Sequence, residues 1–198
     1  QPIVDLATGR PAGVEVLLRW ARGEEVVPAS RFIPVAEEAG LIPELDLYVL
    51  RALAQMTTAL PLHVNLSPQT LLDERLLLGL APLKGRNLRL GLKELSCMGF
   101  PVVLDDFGQG YASLRLLVGL PFSMAKVDRG FVGGIGLDPK AEAALKAVLA
   151  LSRELEIALV AEGVEREDQW AWLRSVGYSL GQGYLWGRPA PLEEVLYP

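Results

Sequence analysis

Short apolar runs that end in a polar or charged residue recur along this chain, and most are followed by the three-to-four-residue apolar spacing of a helix. Residues 101–106, 122–128, 157–162 and 178–184 are runs of this kind. They predict repeated βα units. Behind Asp138-Pro139, residues 140–155 place Leu145, Val148, Leu149 and Leu155 among charged positions, as an amphipathic helix does, and residues 165–176 repeat the arrangement. Earlier, Ser30 is the expected N-cap of a helix over 31–39 that Gly40 stops. A second helix is expected over 44–59, with a strand over 62–66 behind it. At the front, 3–6 and 14–20 predict two strands joined by residues 7–11, too short a link for a parallel crossover, so this first pair is antiparallel.

Alternating units with polar strand ends predict an α/β fold, a TIM-like (β/α)8 barrel with its first strand antiparallel. Seven strands are visible where eight are expected. The deficit lies between Asn65 and Asp105, where about 40 residues stand in for two βα units that need roughly 60. Residues 87–90 start like a strand, but only residues 91–99 follow, fewer than the ~10 to 12 of a parallel crossover. Either the unit is truncated, or a segment separates Leu90 from Gly91 and their Cα atoms lie well beyond the ~3.8 Å of a trans peptide. The retention of the other site residues favours the second expectation.

Composition narrows the class. With 198 residues, half of them apolar, the chain suffices for one domain over 1–198 with a proper core. Acidic residues outnumber basic ones 24 to 19, which disfavours a partner as long as DNA or RNA and leaves room for a small anionic ligand. The single cysteine, Cys97, forms no internal disulfide and suits a reducing cytosol. No run of about twenty apolar residues reads as a membrane span. The chain opens at Gln1 without methionine, inside an apolar run, which reads as a piece of a longer protein.

The polar residues at the ends of the runs are Glu15, Asn65, Asp105, Asp106, Lys126, Asp128, Glu162 and Gln182. In a βα barrel such ends converge on one face. Oxygen donors from several strands suit a hard divalent ion, Mg²⁺ or Mn²⁺, better than zinc, because no cysteine or histidine cluster is present. Any one carboxylate alone reads as a solvated loop residue or a helix cap; their recurrence at strand ends points to a shared site. Asp105-Asp106 is the sharpest feature, since adjacent acids after an apolar strand repel unless a cation lies between them. With Phe107-Gly108 the second acid completes a DFG triplet, but no HRD-type loop, glycine-rich nucleotide loop or upstream lysine strand accompanies it, which excludes a kinase. Gly181-x-Gly183 and Gly133-Gly134-x-Gly136 match no phosphate-loop spacing and read as turns. Lys126 either stabilises phosphoryl charge in the mouth or pairs with Asp128 at the surface. His63 reads as a hydrogen-bonded core histidine. Arg19, four residues beyond Glu15, is expected on the same strand face, where it could grip a phosphate or form an ordinary surface ion pair.

Taken in order, these segments resemble the EAL family of cyclic di-GMP phosphodiesterases along the whole chain. The resemblance is carried by Gln1-Pro2-Ile3-Val4-Asp5-Leu6, by Glu15-Val16-Leu17-Leu18-Arg19-Trp20 with valine for the family's alanine, and by Val64-Asn65-Leu66-Ser67. It continues through Asp105-Asp106-Phe107-Gly108-Gln109-Gly110-Tyr111, with glutamine for the usual threonine, then Lys126-Val127-Asp128, Ala161-Glu162-Gly163-Val164-Glu165 and Gln182-Gly183-Tyr184-Leu185. The resemblance implies two-metal, in-line hydrolysis of cyclic di-GMP to linear pGpG, with Mg²⁺ or Mn²⁺ active and Ca²⁺ inhibitory. It implies that Glu15, Asn65 and Asp105 hold a first metal and Asp105 with Asp106 a second. Lys126 and Gln182 would position the attacking water, with Glu162 its base or a partner of the second metal. Arg19 would contact a phosphate and Leu17 a guanine, and Phe107, Gly108, Gln109, Gly110 and Tyr111 would couple the site to a homodimer interface. Also implied are a bacterial cytoplasmic setting, free or as the inner part of a membrane-anchored protein, and an upstream sensor or GGDEF-type domain. A further family glutamate expected after Leu90 is absent, so the alternative is an inactive cyclic di-GMP receptor or interaction module.

Overall fold

The computed structural model describes residues 1–67, 70, 73–83, 88–91, 101–107, 122–191 and 194–195, and for residues 77, 78, 88–91 and 106 the backbone alone. Eight strands close into a barrel: β1 (Pro2–Asp5), β2 (Pro11–Val16), β5 (Leu62–Asn65), β6 (Leu88–Gly91), β7 (Val102–Phe107), β8 (Phe122–Val127), β9 (Ala158–Glu162) and β10 (Leu180–Gln182). β1 lies between β10 and β2 and is antiparallel to both, while the other neighbours run parallel. The expected barrel with one reversed strand is therefore present. β3 (Arg19–Arg22) and β4 (Glu25–Pro28) form a separate antiparallel hairpin.

Strand alternation sorts the side chains. Ile3, Val103, Met124 and Val160, with Ala158 and Leu180, fill the barrel interior. Outward-facing Ala125, Val127, Leu159 and Ala161 pack against Val132, Leu145, Leu149 and Leu173 of the surrounding helices. Those helices are α1 (Ala29–Glu38), α2 (Ile42–Gln55), α3 (Arg75–Leu80), α4 (Arg129–Gly133), α5 (Pro139–Glu154) and α6 (Glu167–Val176). α5 starts where the sequence marks it: Asp138 accepts from the Lys140 amide at 2.9 Å, with Pro139 in the first turn.

Two expectations are corrected. The run over 14–20 is not one strand; β2 stops at Val16 and the chain turns away into the hairpin, with Gly23 at φ +62° in its tip. Ser30 caps nothing, because α1 begins at Ala29 directly after the extended Pro28. β6 itself is present as the strand expected over 87–90, with Leu90 in register beside Val64 and Gly91 beside Asn65. β6 is thus the eighth strand, and its unit is short.

Candidate functional site

The polar site residues lie at the carboxyl ends of the parallel strands, one step above the apolar interior. On β7, β8, β9 and β10 the residue two places earlier on the same face is Val103, Met124, Val160 or Leu180, so each strand sends one apolar side chain into the plug and one polar side chain into the mouth. β7 carries an irregularity where this matters most. Leu104 pairs with Ala125 and Phe107 with Val127, so Asp105-Asp106 occupies a bulge with one residue more than the facing strand. Such a bulge re-aims a side chain at a barrel rim.

Lys126 is the centre of the arrangement. Its side chain is 4% exposed, and Nζ lies 2.7 Å from Glu15 Oε1, 2.7 Å from Glu162 Oε1 and 3.3 Å from Asp105 Oδ1. Glu15 also accepts from Asn65 Nδ2 at 3.3 Å and, through Oε2, from Gln182 Nε2. Burial opposes the charge on Lys126, but Glu15, Glu162 and Asp105 outweigh it and hold the ammonium well above lysine's ordinary range. Burial also works against the Glu15 carboxylate, yet Lys126 and the hydrogen bonds from Lys126, Gln182 and Asn65 keep its pKa below the usual value. At Glu162 burial prevails over Lys126, with Asp105 and Glu15 adding to it, and the carboxyl is pushed up to about 7.

Three carboxylates against one ammonium leave the mouth short of positive charge. Among the described residues no group of three or more acidic, histidine or cysteine side chains is already set to hold a metal ion, and Glu15, Asp105 and Glu162 face the Lys126 ammonium instead. The donor chemistry nevertheless fits a hard divalent ion: carboxylate and amide oxygens, plus Gln182 Oε1, which is buried and finds no hydrogen-bond donor among the described residues. On β6 the residue level with Asn65 is Gly91.

Glu15, Asn65, Asp105, Lys126, Glu162 and Gln182 are thus brought together as expected from their strand ends. Arg19 is not on Glu15's strand, but Leu17 and Arg19 line a cleft of about 520 Å³ next to Glu15, with Val16, Val26, Leu53, Met56 and Pro189 around them. His63 is buried on β5 beside Glu15 in register. Phe107 is buried against the outer core, whereas the side chain of Asp106 and all of Gly108, Gln109, Gly110 and Tyr111 lie outside the described residues.

Sequence reasoning missed Asp46 of α2. Its Oδ2 accepts from the Ser67 amide at 2.8 Å and from the Thr70 hydroxyl at 2.5 Å, which ties down the turn that follows Asn65. No local pattern announces this, because the partners are 21 and 24 residues away. Asp46→Ala leaves a buried hydroxyl and an amide without their acceptor, and should cost about 1–3 kcal/mol in urea denaturation; an unchanged midpoint would mean the turn is held elsewhere. Also unforeseen is the rim beside Gln182, where the Arg188 guanidinium stacks 4.2 Å from the Tyr184 ring centroid.

Residues 1–90 and 82–189 match the EAL domain family in two stretches. An "Uncharacterized signaling protein" of Caulobacter vibrioides is 40% identical over 224 residues, covering 98% of this chain and 27% of the relative. The cyclic di-GMP phosphodiesterase RocR of Pseudomonas aeruginosa is 34% identical over 227 residues, covering 99% of this chain and 58% of the relative. The chain therefore spans less than two thirds of either. Both alignments are longer than the 198-residue chain by about 30 residues, the size of one βα unit, and the family match divides at the short β6 unit. Among solved structures, "PaMucR Phosphodiesterase, c-di-GMP complex" superposes with a TM-score of 0.84 at 34% identity, over 99% of this chain and 92% of that one.

Proposed function

Because the chain belongs to the EAL domain family, we propose that it hydrolyses cyclic di-GMP to the linear dinucleotide pGpG with Mg²⁺ or Mn²⁺ as cofactor. The observation that carries this reading is the convergence of side chains from six strands around the buried Lys126–Glu15 pair, beside a cleft that offers Leu17 and Arg19. Glu15, Asn65, Asp105 and Asp106 would hold two divalent ions, whose charge would neutralise the phosphate and acidify an attacking water. The chain's own groups do the remaining work. Lys126 Nζ donates to the water and Gln182 Oε1 accepts from it, fixing its line of approach. Glu162, with its carboxyl near 7, takes the water's proton at neutral pH. The Arg19 guanidinium holds a phosphate oxygen and the apolar wall at Leu17 packs against a guanine.

The test is mass analysis of cyclic di-GMP after incubation with protein and Mg²⁺, Mn²⁺ or Ca²⁺. Release of pGpG with the first two ions and not with Ca²⁺ is expected. Binding without cleavage in every ion would make the domain a receptor and sink the reading, and absence of both would leave a scaffold. The same reading includes homodimer coupling through Phe107 and residues 108–111, so specific activity should rise with protein concentration across the monomer–dimer transition; a flat profile removes the coupling.

A further inference from the structure

We propose that Lys126 is the resident cation of the barrel mouth, and that a divalent ion enters by taking Glu15 and Asp105 away from its ammonium. The inference rests on the metal-dependent reading above. An ammonium has three N–H donors, and Lys126 has three carboxylates within 2.7, 2.7 and 3.3 Å to receive them. Glu15 is the decisive partner because its acceptor oxygens are both engaged. Oε1 accepts from Lys126 and Asn65, and Oε2 accepts from Gln182. In this arrangement Asn65 presents its amide nitrogen to Glu15, as a hydrogen-bond donor and not as a ligand oxygen. Oε1 therefore has both its acceptor positions filled while the ammonium and the amide keep their places, and Oε2 has one left, so an ion that binds both oxygens of Glu15 must displace one of them.

The exchange has a physical logic. Without a cation, Glu15, Asp105 and Glu162 would repel one another in a mouth where Glu15 and Lys126 are almost entirely shielded from water. Lys126 prevents that and keeps the metal-free barrel folded with its ligands gathered. A divalent ion brings twice the charge and replaces the ammonium at Glu15 and Asp105, while Glu162 keeps Lys126 beside the reacting water. Ion and ammonium compete for the same oxygens, so lysine lowers metal affinity and raises the stability of the metal-free state.

The experiment compares wild type with Lys126→Gln, without nucleotide. Mn²⁺ affinity is read by electron paramagnetic resonance and melting temperature is read in chelator. Lys126→Gln is expected to bind Mn²⁺ at least ~10-fold more tightly, since a competing charge inside the site is gone, and to melt at a lower temperature in chelator. Unchanged or weaker Mn²⁺ affinity in a folded variant overturns the exchange while leaving metal dependence intact. Failure of wild type itself to bind Mn²⁺ sinks the metal reading and the exchange with it. A measurement on wild type covers the case in which the variant does not fold: the ¹⁵Nζ resonance of Lys126 should move on addition of Mg²⁺ and return with chelator. A resonance that stays in place overturns the proposal.

Discussion

Asp105→Asn is expected to reduce cyclic di-GMP hydrolysis by at least ~10² while nucleotide binding survives in part. Asparagine keeps the shape of the side chain and removes the charge. In the proposed mechanism Asp105 is the ligand shared by both ions, so the substitution weakens each of them. The bulge that aims Asp105 is a backbone feature between β7 and β8 and should persist in the variant. Lys126 would still have Glu15 and Glu162, both at 2.7 Å, with one carboxylate fewer to balance, so the fold should hold. The cleft with Leu17 and Arg19 is untouched. Turnover and binding therefore separate, and steady-state kinetics beside equilibrium binding of cyclic di-GMP checks the split. Turnover retained within a few-fold of wild type would refute the role of Asp105.

Gly183→Ala should destabilise the domain by about 3 kcal/mol or more, at the upper end of overpacking effects. A Cβ at Gly183 would stand closer than 3.0 Å to the nitrogen, carbonyl carbon and oxygen of Val164, and all three are backbone atoms that cannot rotate aside. They are also occupied: the Val164 amide donates to the Gln182 carbonyl at 3.0 Å, and the Val164 carbonyl accepts from Leu185 at 3.1 Å. Making room for a methyl breaks this pair of bonds and displaces the end of β10, which carries Gln182. Chemical denaturation measures the loss. Gly133→Ala is the control, because nothing lies within 4 Å of a Cβ added there. Equal stability of the two variants would show that the approach of β10 to Val164 is not a constraint.

Most of the site was legible because a strand end is written locally. Asp105, Lys126, Glu162 and Gln182 each follow an apolar residue two places earlier, and that spacing alone puts them on the inner face. What the spacing does not encode is the partner across the barrel. Lys126 meets Glu15 from 111 residues away, and only closure brings the two together. The same limit hid Asp46. The misread strand over 14–20 has another cause: Val16, Leu17, Leu18 and Trp20 look alike to a period-two reading, although the chain leaves the barrel within that run. The Arg22-Gly23-Glu24-Glu25 turn, with Arg22 paired to Glu25, was the available signal for the hairpin. At β6 the apolar start was visible in the sequence, and the barrel pairs even this four-residue strand with its neighbours.

The reversed first strand has a consequence for how the protein is made. β1 is the keystone between β2 and β10, and Ile3 finds its register opposite Gln182. On a ribosome elongating at roughly 5–20 residues per second, about 10–40 s pass between the emergence of the two partners. During that interval the hairpin of β1 and β2 exists with one edge of unpaired amides and carbonyls facing the cell, and edges of that kind invite other chains. Closure of the barrel therefore waits for β10 and cannot begin the fold. Nascent chains stalled before Leu180 should depend on chaperones in a way that chains released after Gln182 do not.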